Sequence, residues 1–165
     1  MAVSSAWAGT TAGDSVDAGL KALAARDIVQ AMTEFTAALE ADPANVVAAY
    51  ERGRLLLVIG EPANAVADFT TAIVGDPAHG RAYVGRAQGK LALKDAKSAI
   101  ADFDQAIAVA PTDFEVHVAR AAFRIRIGNI PGARVDLQNA KAVADEATAL
   151  KIDQMLKRLG APPEP

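Results

Sequence analysis

The sequence contains no cysteine, two histidines and one tryptophan in 165 residues. The absence of cysteine excludes disulfide bonds, thiolate metal sites and thiol nucleophiles. Two histidines are too few for most zinc sites and for catalytic triads. Positive charge is not in excess either, because the formal net charge is -3, so no overall basic field favours nucleic acid as a partner. No segment approaches the roughly 20 apolar residues that membrane insertion requires.

Small apolar residues are abundant. Hydrophobic residues make up 52% of the chain and aromatic residues only 5%, so the apolar content is mostly alanine, leucine, isoleucine and valine. That content is ample for a core and too high for a disordered chain. At roughly 100–200 residues per domain, the length predicts one domain with short tails.

Several residue types recur with a period of 34 residues. Two columns are alanine throughout, one is large and apolar, and one is proline in three of its four places. The members are Ala31, Ala65, Ala99 and Ala133; Ala38, Ala72, Ala106 and Ala140; Phe35, Phe69, Phe103 and Leu137; and Pro43, Pro77, Pro111 and Asp145. The prolines predict the end of one helix in each period, because the residue before proline is disfavoured in the α conformation.

These columns resemble the tetratricopeptide repeat, which has small residues at positions 8, 20 and 27, a large apolar residue at 24 and proline at 32. With Ala12 as position 1, the repeats span 12–45, 46–79, 80–113 and 114–147. The fourth repeat has Leu137 in place of the aromatic residue and lacks the proline. The resemblance implies an all-α fold, a right-handed superhelical α-solenoid of four helix pairs.

The remaining segments are two tails and one further helix. Residues 146–159 carry apolar and charged residues at helical spacing, which predicts a C-terminal helix that caps the last repeat. Residues 1–11 are predicted to be a flexible tail and residues 160–165 an extended one. Ala6-Trp7-Ala8 has the A-x-A form of a signal-peptidase site but no apolar stretch before it. Both a cytoplasmic and an exported, periplasmic location therefore stay open.

Charged residues also repeat in register. Position 7 is arginine and position 23 is aspartate in the last three repeats: Arg52, Arg86 and Arg120, and Asp68, Asp102 and Asp136. We expect each arginine to pair with an acidic residue of its own or the preceding repeat, because arginine tolerates partly buried ion pairing. The alternative is that these are separate, solvated charges.

No catalytic site is indicated. Gly80 and Gly85 have the spacing of a phosphate loop, but the lysine and the Ser/Thr that would hold phosphate and magnesium are missing, so we interpret Gly85 and Gly89 as helix-packing positions. His117 lies at position 4, where a packing residue is expected, and is predicted to be a partly buried core residue. We therefore expect no enzymatic activity and no cofactor.

Tetratricopeptide repeats bind proteins, and the resemblance implies a concave groove formed by the first helix of each pair. The candidate ligand-binding residues are Tyr50, Glu51, Arg54, Arg81, Gln88 and Arg126. We expect an adaptor that binds an extended peptide or a helix of a partner subunit in this groove. The alternative is self-assembly into a homo-oligomer through end or convex surfaces, including Met155, Leu156 and Leu159.

One subfamily fits poorly. Tetratricopeptide domains that bind the acidic C-terminal tails of chaperones share a clamp of lysine and asparagine residues. At the clamp positions of the first three repeats this chain has Val16, Leu20, Glu51, Arg81 and Gly85, and of these only Arg81 has the expected charge. Starting one repeat later gives Tyr50, Arg54, Gly85, Glu115 and Ala119. The sequence therefore argues against a chaperone tail as ligand.

Overall fold

The computed structural model describes residues 11–160, which form nine α-helices and no strand. They are α1 (Ala12–Ala24), α2 (Ile28–Ala41), α3 (Val46–Val58), α4 (Pro62–Gly75), α5 (Gly80–Ala92), α6 (Ala96–Val109), α7 (Phe114–Arg126), α8 (Ile130–Val143) and α9 (Glu146–Gly160). The predicted all-α class is confirmed. Ala6-Trp7-Ala8 and most of both predicted tails lie outside the described residues.

The helices belong to two compact units, Met1–Gly75 and Asp76–Pro165, and each is considered by itself. In the first unit α1 pairs with α2 and α3 with α4, and α2 also packs against α3. In the second unit α5 pairs with α6 and α7 with α8. There α7 packs against both α5 and α6, and α9 packs against α8. Each unit therefore contains two consecutive helix pairs joined by direct contact.

Side-chain caps and prolines set the helix ends. Thr11, which the sequence placed in the flexible tail, begins α1: its hydroxyl accepts from the Asp14 backbone N–H and the Asp14 carboxylate accepts from the Thr11 N–H. Asn or Asp side chains cap further helices in the same way, at Asp27, Asn45, Asp95, Asp113 and Asn129. As predicted, α2, α4 and α6 end just before Pro43, Pro77 and Pro111.

The turn inside each helix pair contains one left-handed residue at position 15. It is glycine in the second and fourth pairs, where Gly60 has φ 83° and Gly128 has φ 76°. In the first and third pairs the same place is taken by Arg26 with φ 62° and Lys94 with φ 65°. The left-handed region costs a residue with a side chain about 1–2 kcal/mol more than glycine. Glycine adopts this conformation without a steric cost, so Gly60 and Gly128 are the usual residues for such a turn and Arg26 and Lys94 are the exceptions.

The core of each pair is a large side chain at position 24 against a small residue at position 8. A Cβ atom on Gly19 would lie 2.6 Å from the Phe35 ring, and one on Gly53 would lie 3.1 Å from the Phe69 ring. Alanine occupies position 8 in the last two pairs, where Ala87 shares a buried cluster with Phe103 and Ala121 shares one with Leu137. The two helices of a pair are therefore in close contact at this point.

The predicted arginine–aspartate pairs are confirmed. Arg52 Nε lies 2.7 Å from Asp68, Arg86 Nη2 lies 2.8 Å from Asp102, and Arg120 Nη2 lies 2.7 Å from Asp136. All three aspartates are buried. The first pair has Ala18 at position 7 and Glu34 at position 23, so it lacks this interaction. A buried carboxylate is tolerated only with such a partner.

The arginines also contact the preceding helix pair through a second nitrogen. Arg120 Nη1 lies 2.8 Å from Asp104 Oδ1, and Arg52 Nη1 lies 3.5 Å from Thr36 Oγ1. Asp104 and Thr36 both occupy position 25 of the preceding repeat. Position 25 of the preceding repeat lies 16 residues before the arginine, and position 23 of the same repeat lies 16 residues after it. The spacing of both contacts is therefore visible in the sequence.

Position 11 adds a second cation to two of the buried aspartates. Lys90 Nζ lies 2.7 Å from Asp102, and Arg124 Nη1 lies 2.8 Å from Asp136. The second helix pair has Leu56 at this position, so this column supplies no second cation to Asp68. Leu56, Lys90 and Arg124 are of different types, so no repeated residue predicted this contact. The lysine and arginine lie one helical turn after position 7, which explains why both cations reach one carboxylate.

These contacts raise the pKa of two arginines. The pKa of Arg52 is raised chiefly by its hydrogen bond to Asp68. For Arg120, burial is the largest single influence and lowers the pKa, but the hydrogen bonds to Asp136 and Asp104 outweigh it. The guanidinium groups therefore remain charged in the folded protein.

The helix α9 covers the core of the second unit. Ile152 is buried, and Met155, Leu156 and Leu159 pack against the cluster that contains Leu137. These side chains therefore cover the core of their own unit, which is the role that the sequence predicted for this helix. Their packing argues against the alternative in which the same residues form a homo-oligomer contact.

We expect Phe103→Ala to destabilise the protein by about 3–5 kcal/mol. The ring is buried and stacks on Phe123 with centroids 5.2 Å apart, so its removal leaves a cavity. Urea unfolding followed by circular dichroism measures the change. Ile100→Ala, on the exposed side of the same helix, is the control and should cost about 0.5 kcal/mol. Equal losses at the two sites would contradict the assigned core.

We also expect the two acidic partners of Arg120 to differ in importance. The Asp136 side chain is 0% exposed and that of Asp104 is 57% exposed. Asp136→Ala removes the buried carboxylate that Arg120 and Arg124 share and should cost about 3–5 kcal/mol. Asp104→Ala removes a surface pair and should cost about 1 kcal/mol or less. A similar loss in both variants during urea unfolding would refute this assignment.

Candidate protein-binding surface

Three of the predicted groove residues lie together on α3 in the first unit. Arg54 Nη1 donates to Glu51 Oε2 at 2.8 Å, and the Arg54 guanidinium carbon lies 5.8 Å from the centre of the Tyr50 ring. Tyr50 is half-buried, and its ring meets that of Phe69 edge-on with centroids 6.0 Å apart. The three side chains therefore form one small cluster, and part of Tyr50 belongs to the core.

Arg81 joins two helices in the second unit. Its Nε lies 2.6 Å from Asp113 Oδ2, and its Nη1 lies 2.9 Å from Glu115 Oε2. Asp113 is also the N-cap of α7, where it accepts from the Glu115 backbone N–H at 3.0 Å. Arg81 thus connects the start of α5 to the start of α7. This structural role was missed by the sequence analysis, which had Arg81 facing a ligand.

The ion pair changes the acidity of Asp113. Burial is the largest single influence and raises its pKa, but the hydrogen bonds from Arg81 and from the Glu115 backbone outweigh it, so the pKa lies below its usual value. A lowered pKa in the folded state means that this interaction stabilises the fold above the ordinary pKa of aspartate. The contribution is lost as the pH falls through the lowered value. The contact between Arg81 and α7 is therefore intact at neutral pH.

Gln88 and Arg126 differ from the other four candidates. Both are exposed, and neither has a hydrogen bond or an ion pair with another residue in the range 11–160. Gln88 lies on α5 and Arg126 in the last turn of α7, and these two helices pack against each other. Their polar groups are therefore available to a partner molecule.

The surrounding surface has small side chains between charges. On α7, the residues at successive steps of three or four are Glu115, Ala119, Ala122 and Arg126, which share one face of the helix. The face is acidic at its N-terminal end and basic at its C-terminal end. Ala119 is half-buried and Ala122 is exposed, so no large side chain stands between the two ends of this face. Such a surface offers both polar contacts and a shallow apolar floor to a bound chain.

The two histidines have structural roles. Nδ1 of His79 accepts from the Ala82 backbone N–H at 3.3 Å and so caps α5. His117 is buried as predicted, and its Nε2 donates to the Pro111 carbonyl at 2.8 Å. Within residues 11–160 no cluster of three or more metal-ligating side chains is found. None of the helices in that range is long and apolar enough to cross a bilayer.

Solved structures with the same fold include three informative neighbours. TTC0263, a thermophilic tetratricopeptide repeat protein of Thermus thermophilus, has a TM-score of 0.76 at 22% identity, over 90% of this chain and 80% of that one. MamA from Desulfovibrio magneticus RS-1 has a TM-score of 0.69 at 19% identity, over 80% of this chain and 75% of that one. At these identities the likeness shows the fold alone.

The third neighbour is a peptide complex. The first tetratricopeptide domain of Spaghetti (RPAP3), bound to the HSP90 peptide SRMEEVD, has a TM-score of 0.59 at 24% identity, over 64% of this chain and 83% of that one. No curated protein matches the sequence significantly.

The family itself is established by the sequence. The tetratricopeptide repeat family model matches residues 16–80 and 50–113, which together make up more than half of the chain. The helix pairs, the small residues at position 8 and the large apolar residues at position 24 agree with that match. The chain belongs to the tetratricopeptide repeat family.

Proposed function

We propose that this protein is a protein-interaction adaptor that binds an extended peptide or a helix of a partner on the first helices of its repeats. The observation that carries the proposal is the surface of α5 and α7, where Gln88 and Arg126 are exposed and have no polar partner in the described part of the chain. Arginine is among the residues that most often dominate binding energy. The proposed function requires neither a cofactor nor catalysis.

The other four candidates contribute in a different way. Arg54 contacts both Tyr50 and Glu51, and Arg81 is held by Asp113 and Glu115. Side chains fixed in this way lose little conformational entropy when a ligand binds. We infer that they provide a rigid part of the binding surface, with Gln88 and Arg126 as its adaptable part.

We take residues 12–147 as four repeats, with 146–159 as the capping helix. The fourth repeat extends beyond the family match, but its pair α7–α8 has the same buried small residues as the others and the same arginine–aspartate pair as the second and third pairs. Terminal repeats are commonly atypical. Because the apolar side chains of α9 pack on their own core, we do not propose self-assembly through this end.

We expect the double variant Gln88→Ala/Arg126→Ala to fold normally and to lose its partner. Both side chains are exposed, so the melting temperature should change little. Loss of a hot-spot residue costs about 2 kcal/mol or more of binding free energy, which corresponds to roughly 30-fold lower affinity for the partner. Affinity capture from the native extract, with the captured proteins quantified by mass spectrometry, measures the loss.

The matched control is Gln154→Ala/Arg158→Ala on α9. These two side chains are of the same types, are also exposed and also lack a polar partner in residues 11–160. Proteins captured by the wild type and by the control, but not by the Gln88/Arg126 variant, are the expected partners. Identical capture by all three proteins would exclude this surface as the binding site.

We expect the peptide SRMEEVD not to bind. At the two possible registers of the chaperone-tail clamp, the chain has side chains such as Val16, Leu20 and Glu51 in place of lysine and asparagine. Without those cations, the peptide's carboxylates have no matching donors. Isothermal titration calorimetry should show no saturable heat, while the RPAP3 domain under the same conditions is the positive control. Saturable binding would show that another set of residues performs the role of the clamp.

A further inference from the structure

Arg52 uses its three nitrogens unequally. Its Nε and Nη2 donate to Asp68 at 2.7 and 2.8 Å, which fixes the plane of the guanidinium. The third nitrogen, Nη1, has only the contact to Thr36 Oγ1 at 3.5 Å among the described residues, at the outer limit of a hydrogen bond. A guanidinium offers five N–H donors, so the Nη1 side of Arg52 has unused capacity.

The second unit shows which group binds to Nη1 of the equivalent arginine. Arg120 is the equivalent arginine, and its Nη1 donates to the Asp104 carboxylate at 2.8 Å. Asp104 occupies the position that Thr36 occupies in the first unit. The exposed fraction of the arginine side chain is 15% for Arg120 and 25% for Arg52. A carboxylate therefore fits against Nη1 of an arginine in this position. Next to Arg52, the residue at position 25 is Thr36, which supplies no carboxylate.

The place next to Arg52 is open. Two clefts of about 340 and 280 Å³ adjoin the arginine where α2, α3 and α4 meet, and both include Thr36 and Asp68. Met32 and Leu56 line the larger cleft and give it an apolar side. None of the six predicted groove residues lines either cleft. The space is large enough for a side chain and is separate from the first-helix surface.

We propose that Arg52 forms a carboxylate-binding subsite for an aspartate or glutamate side chain of a protein partner. The carboxylate occupies the place next to Nη1 that Asp104 occupies next to Arg120. Charge-assisted hydrogen bonds of this kind are short and about twice as strong as neutral ones. The apolar wall of the cleft receives the methylene groups or a neighbouring apolar residue of the same segment. This second contact site goes beyond the function proposed for the first-helix surface.

Two acidic groups oppose the ligand. Asp68 neutralises Arg52 directly, and Glu40 acts on the same guanidinium from the smaller cleft. The subsite therefore has no excess positive charge. The ligand is therefore selected by a short, charge-assisted hydrogen bond to Nη1 and not by a positive field of the site. We expect weak binding of a free carboxylate, and we expect Glu40→Gln to strengthen it, because that change removes a like charge.

Acetate is the direct probe. In ¹⁵N-labelled protein, acetate added at constant ionic strength should produce a saturable shift of the Arg52 side-chain N–H signals. The signals of Arg120 should not respond, because Asp104 already occupies its Nη1. Acetamide has the same shape without the charge and should leave Arg52 unchanged. A response of both arginines, or of neither, would refute the proposal.

Exchanging the residues at position 25 makes the test reciprocal. Thr36→Asp should place a carboxylate against Arg52 Nη1 and abolish the response of Arg52 to acetate, as Asp104 does for Arg120. Asp104→Thr should open Arg120 and make its signals respond. Circular dichroism verifies that both variants fold. If the Asp104→Thr protein is folded but its Arg120 signals do not respond to acetate, position 25 does not control the site.

A set of three peptides identifies the source of the carboxylate. With both ends blocked, Leu-Glu-Leu should bind more tightly than acetate, and Leu-Gln-Leu should not shift Arg52. The third peptide, Leu-Leu with a free C-terminus, carries its carboxylate on the chain end. If only this third peptide binds, the subsite recognises a chain terminus and the assignment to a side chain is wrong. All these measurements are independent of the partner captured on the first-helix surface.

Discussion

The contact between the large side chain at position 24 and the small residue at position 8 determines how the helices of each pair meet. Phe35 and Phe69 lie so close to Gly19 and Gly53 that an added methyl group would touch the ring. Positions 7 and 23 directly adjoin these two. The same close approach therefore brings each position-7 arginine to the buried aspartate at position 23, so the polar pairs depend on the apolar packing beside them.

The arrangement separates stability from recognition. Buried alanines and rings from both helices of the pairs, with the aspartates of the second helices, form the core, and each unit completes its own core from two helix pairs. Exposed polar residues of α5 and α7 that have no polar partner among residues 11–160, such as Gln88 and Arg126, are then free to vary without loss of the fold. Repeat proteins commonly share this property, because each repeat contacts only its neighbours. In the proposed function, residues such as Gln88 and Arg126 determine the partner while the scaffold remains the same.

Much of the fold could be predicted from the sequence, because a period of 34 residues repeats every packing position. The helix pairs, the proline-defined helix ends and the arginine–aspartate pairs followed from single columns. The contact between Arg120 and Asp104 agrees with the expected pairing to an acidic residue of the preceding repeat, whereas the contact between Arg52 and Thr36 was not predicted, since threonine carries no charge. The structural roles of Tyr50 and Arg81 were also missed. They depend on side-chain directions and on contacts such as Asp113, which no column reveals.

The left-handed residues at position 15 have a consequence for the order of folding. Glycine adopts the left-handed conformation of the turn readily by itself. Arg26 and Lys94 adopt it only when the packed helices impose it. Each unit contains one pair of each kind, with Gly60 in the first unit and Gly128 in the second. We therefore expect the glycine-containing helix pair of each unit to form first and the adjoining pair to assemble on it.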